Sequence, residues 1–143
     1  MPTTKCPSGV ESPVPTTSEA IATAEQFKHA LLALRDAGLP DAHLAMLKAQ
    51  CKAANGVITS TKLAAAAEYE NYNAANLQYG TLAFSMAGLI GYNPPTRKDG
   101  SPMWWTTLSY AIDGNTELET GQFQFIMRPE LANALRAMKW VRD

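Results

Sequence analysis

Between Tyr69 and Tyr79 the sequence gathers side chains suited to reading and stacking rather than to bond-making. Asn71, Asn73, Asn76 and Gln78 stand among Tyr69, Tyr72 and Tyr79, with no charge from Asn71 onward. A carboxamide offers a donor and an acceptor side by side, so Asn and Gln pair bidentately with adenine, while tyrosines stack or bond phosphates. The same residue types also have a purely architectural use: Asn71 and Asn73 as helix caps, Tyr72 and Tyr79 as core.

Base reading needs a hold on the backbone. Arg97 and Lys98 form the only adjacent basic pair of the chain, in the loop 91–103 between Pro-Pro and Gly-Ser-Pro. They would grip phosphate with Lys62, and Lys48 and Lys52 could extend the patch; a solvated loop tip is the plain alternative. Residues 28–62 hold five basic and two acidic side chains, a modest positive field. Trp104-Trp105 adds possible stacking: on a strand the two rings face opposite ways, leaving one in the core and one partly exposed to a base or a protein partner.

The function classes excluded are as informative. The net charge of −1 and a charged fraction of 17% argue against an indiscriminate nucleic-acid coater, which needs clustered cations. No Gly-rich phosphate loop, carboxylate pair or nucleophile elbow occurs, and His29 and His43 lack a Ser or Cys partner, so no enzyme is expected. Two cysteines, Cys6 and Cys51, and two histidines supply no zinc ligand set, and neither a disulfide, a metal nor a cofactor is expected. Without an apolar run of about 18 residues or a signal-like start, the expected location is cytoplasmic.

The elements that must position these groups can be read in turn. Residues 1–17 carry four prolines and almost no bulky apolar side chains, the composition of a disordered tail. Residues 18–143 read as one domain, and 46% hydrophobic content is enough for its core. Ile21, Ala24, Phe27, Leu31 and Leu34 follow helical spacing, capped by Ser18 or by a Thr23–Gln26 capping box and stopped at Gly38. Pro40 and Asp41 open a second helix ending at Asn55-Gly56. Val57 to Thr59 is an extended lead into a short helix capped by Thr59. After the interruption at 69–72, Asn73 caps a third, largely buried helix running to about Gly88, giving a helix-turn-helix. Alternation over Trp104–Ile112 and Gln122–Met127, with loop 113–121 between, predicts an antiparallel hairpin. Pro129 opens the closing helix. The expected fold is α+β: a mostly helical, winged-helix-like domain with a β-hairpin and a C-terminal helix.

Two stretches carry a family resemblance: Asn71-Tyr-Asn-Ala-Ala-Asn-Leu-Gln-Tyr-Gly80, and Arg128-Pro-Glu-Leu-Ala-Asn-Ala-Leu135. Over most of residues 25–141 the chain resembles a small bacterial domain attached to the N-terminal side of HNH-type, restriction-like endonucleases. The resemblance implies a DNA-recognition module. The sequence departs from that arrangement in having no nuclease after it, so recognition without cleavage is the expectation.

Two functions follow as expectations. One is a double-stranded DNA-binding module using its helix-turn-helix-like segment. The other, suggested by the low charge, the apolar helix and the Trp pair, is a protein-interaction module acting as inhibitor or adaptor of a nuclease or defence system.

Overall fold

The computed structural model describes residues 19–97, 99–111 and 123–141. The tail 1–17, Lys98, Ile112, Gln122 and loop 113–121 lie outside the described residues. Helix α1 (Ala24–Ala37) starts with the capping box: Thr23 Oγ1 accepts Gln26 N–H at 3.1 Å, and Gln26 Oε1 accepts Thr23 N–H at 2.8 Å. It stops at Gly38, whose φ of 97° suits a residue without a Cβ. Helix α2 (Asp41–Lys52) is three residues shorter than the sequence suggests, because Ala54–Gly56 closes as a 3₁₀ turn. Gly56 there has φ +70°, and a Cβ on it would stand 3.2 Å from Met127 Cβ. The backbones approach too closely for a side chain.

Residues Val57–Thr59 form strand β1 rather than a mere extended lead, and Thr59 then caps α3 (Ser60–Ala67) through Lys62 N–H at 3.3 Å. The turn after α3 places Glu68 in the left-handed region, φ 63°, and returns Tyr69 N–H to Ala64 O at 2.9 Å. Helix α4 runs Tyr72–Ile90, and its cap is Asn71, not Asn73. Asn71 has extended backbone and its Oδ1 accepts Ala74 N–H at 3.0 Å, so the helix begins before Asn73 is reached.

The alternation over Trp104–Ile112 is not one strand. Trp104–Thr107 turns as a 3₁₀ helix, and only Ser109–Ala111 is strand β2. The cause is local: Thr106 bonds back to Met103 O twice, by its N–H at 3.1 Å and its Oγ1 at 2.8 Å. The two tryptophans therefore do not face opposite sides of a strand. Strand β3 (Gln124–Met127) pairs antiparallel with both others, giving the order β1-β3-β2 with Ile58 opposite Phe125 and Tyr110 opposite Ile126. Helix α5 (Pro129–Ala137) starts with Pro129 as the sequence predicts.

The architecture is thus α+β, with five helices and a small antiparallel sheet among the described residues. One core joins Phe27, Leu31, Met46, Leu63, Leu82 and Leu135 to the sheet, where Phe125 meets the Tyr79 ring at 4.9 Å. Arg128 is buried with them: Nε donates to Thr106 O and Nη1 to Glu19 O, both at 2.9 Å. No helix among the described residues is long and apolar enough to cross a membrane.

Candidate functional site

The amides of the 71–78 segment do not share one outward edge. Asn71 is the cap of α4. Asn76 Oδ1 accepts from Ser60 Oγ of α3 at 2.7 Å, and Gln78 Oε1 lies 2.8 Å from Nε2 of the buried His43 of α2. These two amides join α4 to its neighbours. Asn73 is exposed, Tyr72 is half-buried and Tyr79 is wholly buried, so the segment's side chains are dispersed over several surroundings.

Tyr79 belongs to a buried polar ring that the sequence reading missed. Its phenol donates to Gln50 Oε1 at 2.6 Å, Gln50 Nε2 donates to Ser109 Oγ at 3.0 Å, and Ser109 Oγ lies 2.6 Å from the phenol oxygen. With Ser109 as donor in the last contact, every member is satisfied. Burial pushes the Tyr79 phenol well above its ordinary range, and its hydrogen bonds with Ser109 and Gln50 offset only part of that. The available signal was positional: Gln50 stands one helical step beyond Met46 and Leu47, on the face α2 turns to the core.

The cations are dispersed too. Lys62 is exposed on the first turn of α3, Lys98 lies outside the described residues, and Lys48 lines a different cavity from Arg97. Arg97 sits in a tight loop in which Nη1 donates to Pro102 O at 2.7 Å. Beyond it, Asp99 Oδ1 accepts from Ser101 Oγ at 2.6 Å and from Ser101 N–H at 2.9 Å, bonds that hold the Asp99 carboxyl below the usual range.

What the fold does assemble is an apolar groove of about 480 Å³ between α4 and the 3₁₀ turn. Leu77, Gly80 and Phe84 form one wall and Pro102 and Trp104 the other. Leu77 and Phe84 are 67% and 55% exposed, so the face of α4 that reads as a buried stripe stands open. Gly80 keeps the wall low, since a Cβ there would meet nothing within 4 Å. Trp104 sets its ring edge-on to Phe84 at 4.8 Å. Trp105 is core, packed on Phe123 and Phe125 at 5.2 and 5.4 Å. Among the described residues Arg97 is the one charged residue of the lining.

No family model, curated protein or solved structure matches the chain. The motif residues that carry the family resemblance have structural work in this fold: Asn71 caps α4, Tyr79 closes the buried ring, and Arg128 ties β3 to the 3₁₀ turn. Among the described residues no group of His, Cys, Asp or Glu could hold a metal ion, and Cys51 is buried with its Sγ donating to Ala132 O at 3.9 Å. The groove's chemistry is the burial of apolar surface beside the positive charge of Arg97.

Proposed function

We propose that the chain is a protein-interaction module that receives an apolar partner segment bearing a carboxylate in the groove between α4 and the 3₁₀ turn. We read α3, α4 and the β2–β3 pair as a winged-helix-like frame for that groove. The observation that carries this reading is the open Leu77–Phe84 wall facing Trp104, with Arg97 as its only charge among the described residues. Isolated exposed apolar side chains are ordinary on a surface, but aromatics and a leucine lining one concavity are what partner anchors fill. Arg97 selects the partner's charge: Nη1 is committed to Pro102 O and Ser101 Oγ, and the rest of the guanidinium forms no bond among the described residues. Partners of this kind include the nuclease or defence proteins for which the chain would serve as inhibitor or adaptor.

The competing proposal, duplex reading by the 71–78 segment, would require Asn71, Asn76 and Gln78 to give up the bonds described above. Peptide display on the whole protein separates the two. Selected peptides should pair a large apolar residue with Asp or Glu, shift Trp104 fluorescence, and lose about tenfold or more in affinity against Phe84→Ser or Leu77→Ser. Duplex binding at low salt that falls with Asn73→Ala and Lys62→Ala, yet is indifferent to Phe84→Ser, would overturn the interaction reading.

A further inference from the structure

A second cavity, of about 340 Å³, shares no lining residue with the groove. It opens where the end of α1, the start of α2 and the turn after α5 meet. Leu39, Leu44 and Trp140 make its apolar lining, and three cations, Arg35, Lys48 and Lys139, stand round it with no acidic residue in the lining among the described residues. Arg35 is partly neutralised by Asp36, whose Oδ1 accepts from Nε and Nη2 at 3.1 Å. Lys48 and Lys139 make no ion pair with a carboxylate among the described residues.

Cations near helix C-termini have an ordinary explanation in the helix dipole, and it covers Arg35 in the last turn of α1. It does not cover the conformation of Lys139. After α5, Lys139 N–H returns to Arg136 O and Trp140 N–H to Leu135 O, both at 3.0 Å, which closes the helix through a left-handed residue. That residue is Lys139, at φ 63°. Across the cavity, α1 closes through the same left-handed region with Gly38, the residue type for which it costs nothing. Lys139 closes α5 in the left-handed region as Glu68 closes α3, and what sets it apart is that it lines a cavity with two other cations and an indole.

We propose that this cavity binds a nucleoside phosphate, with the base against Trp140 and the phosphate among Arg35, Lys48 and Lys139. An apolar lining with an indole in it takes the base by stacking, and clustered ammonium and guanidinium groups take the phosphate. The volume lies near the lower end of the usual range for small-ligand sites, about 300–1,000 Å³, which suits one nucleotide unit. That unit could be free or the phosphorylated end of a strand.

Calorimetry on the whole chain tests this with adenosine 5′-monophosphate, adenosine, inorganic phosphate and a 5′-phosphorylated single strand. The monophosphate should bind at least tenfold more tightly than adenosine or phosphate alone, and the binding should weaken with salt. Tighter binding of the phosphorylated strand than of the mononucleotide would identify the strand end as the ligand, and equal binding the free nucleotide. Lys139→Gly should lose about tenfold in affinity while its melting temperature holds or rises, since glycine relieves the left-handed residue; a merely structural lysine would move neither quantity in that combination. Lys48→Gln should also weaken binding, and Phe84→Ser should not, which keeps this outcome separate from that of the groove. Equal affinity for inorganic phosphate, unchanged binding in Lys139→Gly, or no heat at millimolar nucleotide would each overturn the proposal.

Discussion

Tyr79 of α4 donates its phenolic proton to Gln50 Oε1 of α2 across 2.6 Å, in the interior and against the β2 residue Ser109. Three elements distant in sequence are fixed to one another by that ring of bonds, because each buried polar atom is costly without its partner. Tyr79→Phe keeps the ring contact with Phe125 but leaves Gln50 Oε1 without a donor. It should lower stability by about 1–3 kcal/mol, measured by urea unfolding at neutral pH.

The same phenol makes stability depend on alkaline pH. Burial raises its pKa above the ordinary 10.0, so the folded chain holds the proton where the unfolded chain releases it. Stability from this group is complete below pH 10 and falls as pH rises above 10 toward the folded pKa. Unfolding curves across that interval should show the fall in the native sequence and a smaller one in Tyr79→Phe.

Gly56 and Gly38 make a matched pair for backbone effects. Both have positive φ, but only Gly56 faces a neighbour, Met127 Cβ at 3.2 Å from where its own Cβ would be. Gly38→Ala should cost about 1 kcal/mol, the left-handed penalty alone. Gly56→Ala should cost more, about 2–3 kcal/mol, because Met127 must also move. Thermal melts of the two variants give the difference directly.

Arg128 serves two carbonyls from one rigid fork, Thr106 O and Glu19 O. Burial lowers its pKa from the usual value, and the neighbouring Tyr92 and Glu130 offset part of that. Arg128→Met should destabilise by about 2–3 kcal/mol, and Arg128→Lys should recover little of it, since an ammonium cannot span both acceptors. Amide exchange at Thr106 to Leu108 should quicken in both variants.

What the sequence disclosed was what short-range chemistry decides. The Thr23–Gln26 box, the Thr59 cap and Pro129 are complete within three or four residues, and each marks a real helix start. Asn71 and Asn73 were ambiguous because either can cap; the choice depends on how far Tyr72 and the turn after α3 are drawn into the fold. Trp104–Thr107 alternates as a strand would, but a threonine hydroxyl bonding back to Met103 defeats the pattern. Strand β1 is too short to announce itself and exists because β3 offers it a ladder. The groove was hidden for a different reason: the spacing of Leu77 and Phe84 says that one face of α4 is apolar, but not that the other described residues leave it exposed.

Strand β3 is the hub of the sheet, since β1 and β2 each bond to it and not to each other. During synthesis on the ribosome, both flanking strands leave the exit tunnel before the residues that unite them. The four helices before β2 must then wait, with Ile58 and Ala111 unshielded, until Gln124–Met127 appears. A nascent chain arrested anywhere before that point keeps apolar strand surface and open strand edges exposed, the kind of surface that chaperones take up.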